Sequence, residues 1–169
     1  MSLAVDTLST SMFLRGLNVL SGLIDRAVEA GLDEAVLMEA RLAPDMRPFP
    51  DQVRMASFSA RSCIARLTGQ EWPKTDDTEA SLAELKATVA LSIAFIEGVE
   101  AAAFVGGEAR RIELRFPGVE LNFEGQGYLT SFALPNFYFH LSMAYAILRH
   151  LGVPLGKRDF LGQIELIQG

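Results

Sequence analysis

Four segments of the chain repeat apolar residues at steps of three and four, and this feature restricts the fold more than any other. Such spacing places apolar side chains on one stripe of an α-helix, which must be buried against another element. The pattern predicts a mainly α domain, a bundle of four long helices. Three of these helices span Leu3 to Ala30, Pro50 to Gly69 and Leu82 to Gly98, and the fourth begins between Thr130 and Asn136 and ends at Gly152.

The segments between the long helices carry turn and capping signals. A short helix is expected from Asp33 to about Met38. Residues 41–50, RLAPDMRPFP, contain three prolines, which remove backbone donors and predict an ordered connector. Ser81 followed by Glu84 predicts a capping box at the start of the third long helix.

Residues 111–124 change to strict alternation of apolar and polar side chains around a central Pro-Gly pair. This pattern predicts a small β-hairpin inserted before the last long helix. The Pro-Gly centre favours a type II turn, which matches the twist of a hairpin less well than the primed turns, so a looser loop is the alternative. If Phe116 opposes Val119, all six apolar side chains share one face, which should pack on the helices. On the other face, the register predicts ion pairs of Arg115 with Glu120 and of Arg111 with Glu124.

Length and composition favour one domain spanning residues 1–169, because a chain of 169 residues that is 50% hydrophobic can bury a single large core. The 21 acidic residues outnumber the 15 basic ones, so nucleic acid is not an expected partner. Arg54, Arg61 and Arg66 fall on the second long helix and are expected to be solvated. The single cysteine, Cys63, cannot form an internal disulfide and is expected to be a small buried side chain.

The chain is expected to be soluble and cytoplasmic. Its start lacks the basic region and cleavage site of an export signal. Charged residues interrupt every apolar stretch before it reaches the length of a membrane-spanning helix, so no membrane partner is expected.

Both histidines, His140 and His150, lie on the fourth predicted long helix, ten residues apart. A helix separates such backbones by about 15 Å, whereas a shared metal must lie within about 2.1 Å of both imidazole nitrogens. The two histidines therefore cannot hold one metal ion together.

Three motifs, RLAPDM at 41–46, LPNFYFH at 134–140 and VPLGKRDFLG at 153–162, resemble a bacterial family of unknown function. That family is grouped with the DinB-like and YfiT-like proteins, a superfamily of proposed metalloenzymes. The resemblance implies a DinB-like four-helix bundle and, by analogy, a homodimer.

Metal-binding members of that superfamily carry three histidines, one on the second helix and two spaced as H-x-x-x-H on the last. If His140 matches the first of that pair, Ala144 occupies the position of the second, and residues 50–69 contain no histidine. Two of three ligands are missing, so neither a bound metal nor another cofactor is expected.

Asn136 and His140 are the candidate ligand-binding residues, because the helical spacing stacks both on one inward face. Arg41 and Asp45 complete the candidate site if the connector crosses the open end of the bundle. A carboxylate beside His140 would raise its affinity for a proton. These four residues either orient a small-molecule ligand or form a polar cluster that fixes the connector to the helix.

The first functional hypothesis is a DinB-like protein that is non-catalytic or binds a small ligand. The alternative is a divalent-metal-dependent hydrolase or thiol transferase that uses His140 with carboxylates such as Asp45. The third hypothesis is a protein interaction module.

Overall fold

A computed structural model describes residues 4–164, and the prediction of a mainly α chain with a small hairpin is confirmed. The predicted helix start at Leu3 and both predicted ends of the domain lie outside the described residues. The helices are α1 Val5–Glu29, α2 Glu34–Glu39, α3 Phe49–Thr68, α4 Leu82–Glu97, α5 Gly125–Tyr128, α6 Leu134–His150 and α7 Lys157–Leu161. The strands are β1 Arg111–Phe116 and β2 Val119–Glu124.

The four long helices α1, α3, α4 and α6 pack in a ring, in which α1 and α3 each contact both α4 and α6. Their inward stripes form one core, and Phe13 of α1 meets Phe137 of α6 edge to face at 5.1 Å. Gly16 allows this approach, since a Cβ atom there would lie only 2.3 Å from the Phe137 ring. None of the described helices is both long and apolar enough to cross a bilayer.

The hairpin has the predicted register, with Phe116 opposite Val119 and Arg111 opposite Glu124. Gly118 has a φ of 77°, the left-handed backbone that a type II turn requires at this position. The base of the apolar face is buried on the helices through Ile112 and Leu114, whereas the tip extends into solvent.

The predicted cross-strand ion pairs are wrong, because the charges pair within β1. Glu113 forms an ion pair with Arg111 at 2.9 Å and another with Arg115 at 3.1 Å. Side chains two residues apart on a strand lie on the same face, so the central carboxylate reaches both arginines.

A continuous helical backbone precedes α6, because α5 passes through a π-helical turn, Leu129–Ala133, directly into it. The Leu134 amide donates to the Leu129 carbonyl, five residues back. Pro135 explains the local widening, since it has no amide proton and its ring excludes the carbonyl four residues earlier. The π-helical turn contacts α3 and joins the hairpin to the bundle.

The connection from α3 to α4 is anchored near its α4 end. Arg54 of α3 pairs with Glu79 at 2.7 Å. The Ser81 hydroxyl accepts a hydrogen bond from the Glu84 amide at 3.2 Å, as the predicted capping box requires. The second bond of the box differs, because the Glu84 carboxylate accepts from the Ala80 amide instead of the Ser81 amide. The connection is therefore held against α3 by side-chain contacts.

Candidate functional site

A cavity of about 510 Å³ lies between α3, strand β1, the π-helical turn and the first turn of α6. Pockets that hold small organic molecules usually have volumes of about 300 to 1,000 Å³. The cavity exists because the hairpin lies over α3 and the π-helical turn closes the end between them.

One wall carries a chain of hydrogen bonds between α6 and α3. Asn136 Nδ2 donates to Ser59 Oγ at 2.7 Å, and Ser59 Oγ donates to the Met55 carbonyl at 2.7 Å. One N–H of the Asn136 amide is thus used, and no described residue donates a hydrogen bond to the Asn136 side-chain oxygen. Asn136 therefore offers an acceptor at the cavity wall.

Arg66 is the charged group on the inner wall of the cavity and is half-buried. Its Nη1 donates to the Tyr128 hydroxyl at 3.1 Å. Its guanidinium carbon lies 5.0 Å from the Trp72 ring centre and 5.8 Å from the Tyr128 ring centre. The two aromatic rings therefore fix the position of the guanidinium group. Within residues 4–164 no carboxylate pairs with Arg66, so its positive charge is not neutralised.

Tyr128 supplies a neutral hydroxyl beside Arg66. Burial raises the pKa of Tyr128 above its ordinary value, while the Arg66 charge and the Ser62 hydroxyl act in the opposite direction. The phenol therefore keeps its proton near neutral pH. It accepts from Arg66 and retains a proton that it can donate.

Glu113 and Arg115 also line the cavity and form an ion pair at 3.1 Å, and Glu113 pairs in addition with Arg111, which lies outside the lining. The lining side chains Arg66, Arg115 and Glu113 together carry a net charge of +1, and Arg66 is the lining cation without a carboxylate partner among the described residues.

Aromatic side chains form the apolar walls. Phe132 stacks on Tyr128 with ring centres 5.8 Å apart. Phe58 and Phe116 stand at the mouth and are 45% and 50% exposed. These rings could therefore cover the apolar part of a ligand on several sides while the polar end of the same ligand reached Arg66.

His140 lies one turn beyond Asn136 but does not line this cavity. It is buried, and its Nδ1 lies 2.8 Å from Gln52 Oε1, while Gln52 Nε2 donates to the Arg47 carbonyl at 2.9 Å. Because Gln52 uses its amide group on Arg47, its oxygen accepts from His140, and Nδ1 carries the proton.

The expectation that a carboxylate raises the proton affinity of His140 is wrong. Its partner is the neutral amide of Gln52, and burial lowers the pKa of His140. The side chain is therefore neutral near physiological pH.

Arg41 and Asp45 do not join the other two candidate residues. Both are exposed on the connector, where Arg41 contacts Glu39 and the Met46 carbonyl. The partners of Asn136 and His140 come from α3 instead, because α3 and α6 pack side by side along this face. Of the four sequence-predicted residues, only Asn136 reaches the cavity.

Three cavity residues, Ser59, Ser62 and Arg66, were not among the predicted site residues, although their steps of three and four place them on one face of α3. The expectation that the arginines of this helix are solvated is wrong for Arg61, which is 1% exposed, and Arg66 is half-buried. Residues that cover this face lie 47 or more positions later in the chain, so helical spacing alone could not reveal it.

A three-histidine metal centre does not fit this arrangement. His140 already bonds through Nδ1 to Gln52, and the buried Ala144 one turn later offers no ligand atom. Across residues 4–164 no three His, Cys, Asp or Glu side chains converge with metal-binding geometry. The described residues therefore do not provide the ligand set of a three-histidine metal centre.

A larger depression of about 1120 Å³ lies along α1 and residues 159–164. Asp25 pairs with Lys86 and Arg26 pairs with Glu29, whereas Arg15 donates to the Leu161 carbonyl and, like Arg66, has no carboxylate partner among the described residues. Aromatic side chains line the cavity beside Arg66 but not this depression, so the cavity is better suited to cover the apolar part of a ligand.

A family described as a domain of unknown function, DUF1993, matches residues 7–161. The chain belongs to the DUF1993 family. All the residues that line the cavity beside Arg66 fall within the matched part. No protein of curated function matches the chain significantly.

This DUF1993 protein is also similar to a solved structure, a DinB family member protein from Shewanella denitrificans. The two chains are 35% identical, with a TM-score of 0.87, and the match covers 98% of this chain and 96% of the other. The predicted DinB-like character is thus supported over nearly the whole length.

Proposed function

We propose that this DUF1993 protein binds a small organic molecule in the cavity beside Arg66. The observation that carries the proposal is the combination of apolar walls with a few polar groups that converge on one space. Phe58, Phe116 and Phe132 provide apolar area, while Asn136 and Arg66 provide an unused acceptor and an unneutralised cation. Apolar surfaces with a small number of placed polar groups are typical of ligand sites.

The test is a thermal-shift screen with a library of small metabolites. A ligand that binds only the folded protein raises its apparent stability. We expect stabilising compounds for the wild type and loss of their effect in Ala133→Met, because Ala133 lines the cavity and a longer side chain would fill it.

Ala90→Met is the matched control, since Ala90 is exposed on α4 and remote from the cavity lining. Two results contradict the proposal. One is a library without a stabilising compound, and the other is stabilisation of Ala133→Met equal to that of the wild type.

Self-association is a second candidate function, favoured by the exposed apolar side chains at the hairpin tip. Phe116 and Val119 are 50% and 51% exposed and lie opposite each other across the strands, and Phe58 is 45% exposed at the same cavity mouth. Such patches often mark interfaces, and a homodimer would use the same patch on both copies. Analytical ultracentrifugation over a concentration series tests it: a dimer that Phe116→Ser dissociates supports this candidate, and a monomer at every concentration contradicts it.

A further inference from the structure

We infer that the ligand of this cavity is an organic monoanion, with a carboxylate bound at Arg66 and an apolar body covered by the aromatic walls. This inference rests on the proposed function and adds the chemical class of the ligand. It starts from Arg66, which lines the cavity without a carboxylate partner among the described residues.

The orientation of Arg66 favours an anion over a neutral ligand. Its guanidinium is placed against the Trp72 and Tyr128 rings at 5.0 and 5.8 Å and is anchored through Nη1 to the Tyr128 hydroxyl. This anchoring engages one of its five donors, and a planar carboxylate can accept two parallel bonds from the remaining edge. A half-buried cation that is already fixed loses little side-chain entropy when an anion binds.

The charge balance favours one negative charge over two. Glu113 pairs with both Arg115 and Arg111, and Arg111 does not line the cavity, so the lining side chains Arg66, Arg115 and Glu113 carry a net charge of +1. A phosphate monoester would bring close to two negative charges, and the Glu113 carboxylate would repel the second. A carboxylate matches the single available cation.

The rest of the lining fits a body that is mainly apolar. Leu114, Phe116 and Phe132 offer no hydrogen-bonding group, whereas the Tyr128 hydroxyl beside Arg66 can donate to a carboxylate. An arylalkyl carboxylate would use both halves of the cavity.

The experiment measures the binding of three related probes by isothermal titration calorimetry. Phenylbutyrate carries the carboxylate, phenylbutyramide is its neutral analogue, and phenylbutyl phosphate carries a dianion. We expect phenylbutyrate to bind most tightly to the wild type. Its affinity should fall about tenfold or more in Arg66→Met, the loss typical of a charged hydrogen bond, and recover in large part in Arg66→Lys.

The exposed Arg158 of α7 provides the matched control, and Arg158→Met should bind phenylbutyrate like the wild type. Trp72, the one tryptophan of the chain, gives a second readout that does not depend on stability, because a carboxylate at Arg66 should change its fluorescence.

The outcomes separate the two proposals. If the amide binds as tightly as the carboxylate and Arg66→Met binds both normally, the ligand class is wrong while the cavity remains a binding site. Tighter binding of phenylbutyl phosphate than of phenylbutyrate would also contradict the inference that the ligand is a monoanion. If none of the three probes binds and the metabolite screen gives no stabilising compound, the proposed function fails as well.

Discussion

Arg61 and Arg54, two arginines of α3, show how differently the same side chain can be used. Arg61 is buried and donates to Ser92 at 2.8 Å and Thr75 at 3.2 Å, while its Nε has no partner in the described chain. Burial lowers the pKa of Arg61, yet a guanidinium stays charged in proteins. Arg54 instead pairs directly with the carboxylates of Asp51 and Glu79.

The paired variants Arg61→Met and Arg54→Met should therefore differ in stability. Replacing a buried charge that lacks a direct counter-ion by an apolar side chain of similar length is often neutral or stabilising, so Arg61→Met should keep or raise the free energy of unfolding. Arg54→Met leaves the nearly buried Glu79 without its cation and should lose about 2 kcal/mol. Urea unfolding of both variants measures the difference. A larger loss of unfolding free energy in Arg61→Met than in Arg54→Met would contradict this prediction.

His140 makes stability depend on pH. Because burial holds the pKa of His140 below its value in the unfolded chain, the unfolded chain takes up a proton first as the pH falls below about 6.5. The stability that neutral His140 contributes is complete above that pH and is lost as the pH falls toward the lowered pKa of the folded state.

Urea unfolding at about pH 7.5 and about pH 5.5 tests this difference. The free energy of unfolding should fall less between the two values in His140→Gln than in the wild type. His150→Gln, at the exposed second histidine, is the matched control and should retain the wild-type pH dependence. An unchanged dependence in His140→Gln would show that His140 does not titrate as described.

At the scale of elements, two glycines of α1 have opposite roles. A Cβ atom at Gly16 would collide with the buried Phe137 ring, whereas nothing lies within 4 Å of one at Gly22. Gly22→Ala should raise the free energy of unfolding by about 0.5 to 1 kcal/mol, the difference in helix propensity. Gly16→Ala should lower it by about 1 to 3 kcal/mol, because overpacking of the contact between α1 and α6 outweighs that gain.

Thermal and urea unfolding of the two alanine variants compare the same substitution in one helix. Equal stabilisation by both would contradict the close packing of α1 against α6.

The helices and the hairpin register could be predicted because both follow from short-range periods. Phe116 and Val119 fix the alternation, and the stripe of α1 follows from steps of three and four. The pairing of Glu113 with two arginines of its own strand could not be predicted from register alone, because rotamers decide between partners on the same face. The π-helical turn was also missed, although Pro135 marks its position.

The candidate site was less predictable, because its parts come from distant segments. Asn136 was found because it shares a helix face with His140, but its partner Ser59 lies 77 positions earlier. Arg66 has the spacing of an ordinary surface arginine, and only the packing of Trp72 and Tyr128 around it makes it a candidate anchor.

At the scale of the whole molecule, the hairpin and the π-helical turn convert a side of the helical ring into a cavity. The ring itself leaves the α3 face with Ser59 and Arg66 uncovered, and strand β1 and Phe132 enclose it. In the same ring of helices, the neutral amide of Gln52 lies against His140. Ligand binding in this protein is therefore expected to depend on the lining beside Arg66 and not on a histidine cluster.

An amide NMR titration with phenylbutyrate locates the bound ligand residue by residue. We expect the largest chemical-shift changes at cavity residues, foremost Ser62, Tyr128 and Ala133, and at the indole of Trp72. Ala133→Met should abolish these changes. Changes confined to the α1 depression around Asn18 and Gly22, or equal changes in wild type and Ala133→Met, would contradict binding in the cavity.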